Sequence, residues 1–142
     1  MRLEPLYRVR FRYPEHWHAD LGADGAHFFI AEGRCEGTVA GRFRGANHPW
    51  RRADGTYLPD FQGAIETDDG ATVLFDYRGF GRSYPEPRRE VVAFATHVSS
   101  DERYRRLNDV VCAIAGCVTP EDGGGMAIVL EVAELVWEPP PE

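Results

Sequence analysis

The side chains best able to move a proton near neutral pH here are five histidines and six tyrosines, because the sixteen basic residues are all arginine and lysine is absent. A guanidinium does not give up its proton, so Schiff-base, pyridoxal-phosphate, P-loop and lysine-base chemistries are excluded. Among the histidines, His97 follows Val91, Ala93 and Ala95 at two-residue spacing, at the end of a stripe of small residues that leaves room for a ligand. At that place it has the chemistry of a general acid or base. Tyr77 shares a strand face with Val73 and Phe75, and its hydroxyl can orient a carbonyl. His16 and His18 form a His-x-His pair with His27 nearby, the spacing of a cupin-like metal site in extended chain. The pair lies in a connection rich in Gly and Asp, so a polar surface loop is preferred and no metal is expected. Arg42 and Arg44 flank Phe43, so either two guanidiniums or one phenyl ring faces the interior, and Phe43 is the expected inward residue. Asp68 and Asp69 belong first to a hairpin turn, Thr67-Asp68-Asp69-Gly70. Gly79-Phe80-Gly81 and Gly123-Gly124-Gly125 do not open a helix after a strand, so neither is a phosphate cradle.

The elements that must position these groups are short strands. Tyr7, Val9, Phe11 and Tyr13 alternate with Arg8, Arg10 and Arg12 over residues 6–13, giving one dry face and one solvated arginine face. Further strands are expected at 27–32, through the glycine rhythm Gly33, Gly37, Gly41 and Gly45, and at 57–67 paired with 71–77. Gly79, Gly81, Pro85 and Pro87 mark a loop before strands at 90–98, 109–118 and 126–137, and Ser99 or Ser100 caps a short helix near 100–107. The fold class expected is all-β, a single antiparallel β-barrel of about seven to nine strands occupying residues 1–137, followed by a disordered Pro-rich tail at 138–142. The apolar run Met126 to Val136 suggests a strand covered on both sides, as by a partner subunit.

Composition bounds the function. A chain of 142 residues is one domain, and no run reaches the ~18–20 apolar residues of a membrane helix. A net charge of −7 and a pI near 5.2 argue against nucleic acid as partner. Cys35, Cys112 and Cys117 make an odd set without framework spacing, and the N-terminus lacks a signal-peptide core, so a cytoplasmic location is expected.

An ordered series of segments resembles the DUF3237 (UPF0311) family: Leu3-Glu4-Pro5-Leu6-Tyr7, Gly33-Arg34-Cys35-Glu36-Gly37, Gly41, Gly45 with Trp50, Asp54-Gly55, Thr67-Asp68-Asp69-Gly70-Ala71, Arg78-Gly79, Phe94 with Thr96, and Tyr104 with Leu107-Asn108. The resemblance implies a lipocalin-like or allene-oxide-cyclase-like barrel, often dimeric. The family pattern departs here at Gly45-Ala46-Asn47-His48-Pro49-Trp50 and at Gln62-Gly63.

Family-like position and useful chemistry together give the candidate site. His97, Tyr77, Glu66 and Asp68 are the catalytic candidates. Arg42, Phe43, His48, Trp50, Asp54, Phe75, Tyr104 and Asn108 are the ligand-binding candidates. The expected function is a cofactor-free isomerase, cyclase, lyase or hydratase acting on a small hydrophobic or aromatic molecule. The alternative is a binder without turnover, or a structural dimer. No membrane partner is expected. The two differ in one requirement, since an enzyme needs an acid/base pair converging on one cavity while a carrier needs only shape.

Overall fold

In a computed structural model of the protein, residues 1–82 and 89–142 are described. The chain forms ten strands in order: β1 (Arg2–Asp20), β2 (Gly25–Gly37), β3 (Gly41–Asn47), β4 (Trp50–Arg51), β5 (Tyr57–Leu58), β6 (Asp60–Thr67), β7 (Thr72–Arg82), β8 (Arg89–Val98), β9 (Cys112–Pro120) and β10 (Met126–Val136). Eight of them, β1-β2-β3-β6-β7-β8-β9-β10, pair antiparallel in a ring that closes through β1 and β10. Closure leaves the eight-stranded ring without an exposed edge and encloses an interior just wide enough for side chains or one small ligand. The short β4 and β5 run between β2 and β7 at one end of the ring, past the Asn47–Phe61 end of β3 and β6.

Two-residue alternation decides what faces inward. Tyr7, Val9 and Phe11 of β1 are buried and the intervening arginines are exposed. On β3, Phe43 is buried and Arg42 exposed. Phe11, Phe43, Phe75 and Tyr77 stack inside the ring, with centroids 5.1, 4.6 and 4.5 Å apart in succession. Most of the outer arginines are paired with carboxylates, as Arg8 is with Glu131 and Arg34 with Asp68. Glu121 accepts from both Arg10 and Arg12 and is held down to about 2 by them. The glycines permit close approach of strands. A Cβ on Gly63 would lie 2.1 Å from the Arg44 carbonyl oxygen and 2.6 Å from the tip of Phe75. That position therefore has no room for any side chain.

Four expectations are corrected. The first two strands are longer than expected; β1 carries His16 and His18, which therefore lie in a strand and not in a connection, while His27 lies in β2 as expected. Gly79 and Gly81 lie inside β7, because Gly79 must let Ala93 of β8 approach; Pro85 and Pro87 fall outside the described residues. The helix expected near 100–107 is instead a run of turns followed by a 3₁₀ turn at Arg105–Asp109. Ser99 still accepts the Asp101 N–H at 3.3 Å in the manner of a cap while its hydroxyl donates to the Thr72 carbonyl at 2.7 Å, and Asn108 brackets its backbone, but only turns follow it. β10 alternates, with Ile128, Leu130 and Val132 buried and Glu131 exposed, so it is not uniformly apolar on both faces. The sheet ends at Val136, short of the Pro-rich residues.

Candidate functional site

The interior is not completely filled. At the end bearing β4 and β5 a cavity of about 210 Å³ is walled by Phe11, Tyr13, Phe29, Tyr57, Phe61, Tyr77, Val91, Ala93, Ile114, Val118, Ile128 and Leu130. Asn47 is its uncharged polar amide, and among the described residues the charged ones on its boundary are Arg82, Arg89 and Glu90, at the facing ends of β7 and β8. Val91 and Ala93 belong to the small-residue stripe of β8, and the space they leave is part of this cavity. The volume lies below the ~300–1,000 Å³ of drug-sized sites, which fits a small molecule.

The cavity borders on a buried polar chain. Tyr77 lines it, the Tyr77 hydroxyl shares a hydrogen bond with the Tyr7 hydroxyl, and Tyr7 Oη lies 2.8 Å from His97 Nε2. All three residues are at most 4% exposed. They reach one another because β1, β7 and β8 place them on inward positions of a closed ring. Burial raises both phenols well above their ordinary range and pushes His97 down to about 4. At neutral pH the chain is therefore an uncharged phenol, phenol and imidazole. His97 Nδ1 has no hydrogen-bond partner among the described residues. An unpaired lone pair costs less than an unpaired N–H, which favours the proton on Nε2. In that arrangement Nε2–H donates to Tyr7, Tyr7 donates to Tyr77, and the Tyr77 proton remains at the cavity end of the chain.

The remaining sequence candidates do not converge on this cavity. Glu66 is exposed on β6 opposite Arg42, and Arg42 donates to Glu32 at 2.8 Å on the outer surface. Asp68 is held by Arg34 Nη2 at 2.5 Å outside the barrel. Its carboxylate lies below the usual range because of that arginine. His48 is exposed and meets the Phe28 ring edge-on, Trp50 is exposed, and Asp54 closes a turn by accepting from Arg52 and the Thr56 N–H. Tyr104 is buried but donates to Asp69 Oδ2 at 2.8 Å beside the β6–β7 hairpin, and Asn108 clasps the Ser99 backbone. Phe43 and Phe75 are interior core residues, not cavity walls. The physical reason is common to most of them. Strand parity sends the charged side chains to water, where their solvation is kept.

His16 and His18 do lie side by side, with Nδ1 of His16 2.9 Å from Nε2 of His18. His18 Nδ1 in turn lies 2.6 Å from His27 Nδ1, and Arg51 Nε donates to His27 Nε2 at 3.4 Å. His18 thus spends its two nitrogens on different partners, which makes a chain of imidazoles rather than a common centre. Among the described residues no group of three or more His, Cys, Asp or Glu side chains is arranged to hold a metal ion. Desolvation first, then His18 and Arg51, lower the His27 pKa.

Three polar residues of the cavity region escaped the sequence reading: Tyr7, Tyr13 and Asn47. The signal for the two tyrosines was present, since both stand on the dry face of the alternating first strand. Nothing local marks Asn47 as a tyrosine's partner, because Tyr13 lies 34 positions away in the chain.

No family model matches the chain, and no curated protein matches it. Among solved structures, it is similar to a β-barrel-like protein from Acinetobacter baumannii AYE, with 21% identity, 94% of each chain covered and a TM-score of 0.75. A protein of unknown function from Clostridium acetobutylicum ATCC 824 is 14% identical over 96% of this chain and 100% of its own, with a TM-score of 0.83. An enzyme from Penicillium herquei is 22% identical over 92% of this chain and 93% of its own, with a TM-score of 0.66. At these identities the likeness establishes the antiparallel β-barrel fold.

Proposed function

We propose that the protein binds a small, uncharged hydrophobic or aromatic molecule in the barrel interior. The observation that carries this reading is the aromatic-walled cavity of about 210 Å³ bordered by a neutral Tyr77–Tyr7–His97 chain. Among the described residues no carboxylate hydrogen-bonds to that chain to complete an acid/base pair, and the candidates Glu66 and Asp68 are exposed on the outer surface. Burial also keeps the phenols protonated and the imidazole neutral, which suits hydrogen-bond donation better than proton abstraction. A second reading is a cofactor-free isomerase, cyclase or lyase in which Tyr77 polarises a substrate oxygen. It is favoured by the buried phenol chain itself and by the description of the Penicillium herquei neighbour as an enzyme.

The test is native mass spectrometry of the purified protein together with titration of 2-ethylnaphthalene as an apolar probe. A Val91→Trp variant, filling the cavity from a partly buried wall position, is expected to lose the co-purified compound and at least tenfold in probe affinity. Absence of both a bound compound and probe binding in the unaltered protein would overturn the pocket reading.

Membership of the DUF3237 family, a cytoplasmic location and a homodimer belong to the same proposal. The three free thiols support the location, and among the described residues no helix is long and apolar enough to cross a membrane. Support for the dimer comes from the outer face of β7 and β8, where Leu74, Phe80, Val92, Phe94 and Val98 are exposed on adjacent strands. The Arg78–Asp76 ion pair sits among them on the same face of β7. Sedimentation velocity is expected to give a dimer that Phe94→Glu converts to monomer; a monomeric unaltered protein would count against the assignment.

A further inference from the structure

Tyr13 stands in the cavity wall with its ring stacked on Phe29 at 4.4 Å and edge-on to Phe11 at 5.5 Å. Its hydroxyl has one protein partner among the described residues, Asn47 Nδ2 at 2.9 Å. The direction of that bond is fixed by geometry. Asn47 Oδ1 accepts the backbone N–H of Asp60 at 3.2 Å, and a backbone N–H can only donate, so the other end of the amide must be its NH₂. Tyr13 oxygen therefore accepts, and the phenol proton is left to donate elsewhere. Asn47 itself is buried, at 6% exposure, and it is held between two strands' worth of hydrogen bonds. The donor is thus pre-oriented, and orientation before binding removes part of its entropic cost.

We infer that Tyr13, oriented by Asn47, is the hydrogen-bond donor that anchors the ligand, and that the ligand presents to it an uncharged acceptor oxygen of the ketone, aldehyde or ester class. The inference rests on the pocket reading above and names its ligand class. The neutrality follows from what surrounds the hydroxyl. Phe11, Phe29 and Phe61 are its aromatic neighbours, and one neutral donor does not offset the desolvation of a carboxylate. The guanidiniums of Arg82 and Arg89 are on exposed residues at the strand ends. Burial raises Tyr13 to about 12, so the hydroxyl keeps its proton across the physiological range. An alcohol or phenol on the ligand would bring an O–H donor of its own to be satisfied here, whereas a carbonyl brings acceptors only.

The test compares 2-acetylnaphthalene, 2-ethylnaphthalene and 2-naphthoate by calorimetric titration. They share an aromatic body and differ in the group offered to Tyr13. The ketone is expected to bind about threefold to tenfold more tightly than the alkyl probe, the range of one neutral hydrogen bond, and the carboxylate more weakly than the ketone. Tyr13→Phe is expected to abolish the ketone preference while the alkyl probe binds as before. Asn47→Asp keeps shape and the Asp60 contact but replaces the donor by an acceptor. It turns the Tyr13 proton inward and is expected to abolish the preference with Tyr13 still present. This second variant also covers failure of Tyr13→Phe to fold. A preference that survives both variants and disappears in Tyr77→Phe would overturn the assignment in favour of Tyr77, as would tighter binding of the carboxylate. Failure of the unaltered protein to bind either neutral probe would overturn the pocket reading itself, a separate result.

Discussion

Replacing Tyr7 with phenylalanine is expected to destabilise the protein by about 2–4 kcal/mol, more than replacing Tyr77. Tyr7 is the middle of the buried chain, bonded to the Tyr77 hydroxyl on one side and to His97 Nε2 on the other. Its loss strands two polar groups in an interior where each unpaired group costs ~1–3 kcal/mol. Tyr77→Phe removes an end of the chain and strands at most one. The two substitutions share a bond and so are not additive. The double variant is expected to cost clearly less than the sum of the singles, because removing both hydroxyls leaves only His97 to be satisfied. Urea unfolding of the three variants measures this. Equal costs for Tyr7→Phe and Tyr77→Phe, or strict additivity, would mean that the chain does not act as a unit.

Acidification from pH 6.5 to 4 is expected to reduce stability by about 3 kcal/mol through His97 alone. In the unfolded chain its imidazole titrates near the ordinary value of 6.5, while burial in the folded barrel pushes it down to about 4. Above pH 6.5 both states hold the ring neutral, and His97 gives no pH dependence. Between 6.5 and 4 the unfolded state takes up a proton that the native state refuses, so stability falls by about 1.4 kcal/mol for each pH unit. Below pH 4 the native ring is protonated too, and the loss from this group stops growing. Asp54, Asp101 and Glu121, each held low first by an arginine, act in the same direction but at lower pH, where unfolded carboxylates begin to protonate. His27 is also lowered, chiefly by desolvation, and adds to the slope in the histidine window. Urea midpoints measured at half-unit intervals are expected to show the slope between 6.5 and 4 in the unaltered protein and a much flatter one in His97→Asn. The same slope in both would reassign it to other groups.

These two expectations rest on residues that were unequally visible in the sequence. His97 and Tyr77 were legible because each closes a run of apolar residues at two-residue spacing, and period-two alternation is a local property. Tyr7 and Tyr13 stand on the same kind of face, but nothing in the first strand says what lies across the barrel. Glu66 and Arg42 are attractive by type, yet their own strands alternate them with buried neighbours such as Ile65, Thr67 and Phe43, and Asp68 lies in the hairpin turn after β6. Parity alone would have excluded Glu66 and Arg42. The segment after Ser99 differs for another reason: Ser99 does accept the Asp101 N–H, but Asn108 ties its side chain to the Ser99 backbone and the chain folds into turns and a 3₁₀ turn instead of a helix.

By itself, the sequence determined the antiparallel barrel class, the inward and outward faces of most strands, and the absence of any lysine chemistry. Each of those follows from composition or from alternation within one strand. Which inward groups meet was decided only by the tertiary structure. Tyr7 is 70 residues from Tyr77 and 90 from His97, and Tyr13 is 34 from Asn47. Their contacts depend on strand register and on where the ring closes, and register is a relation between distant segments that no local spacing encodes.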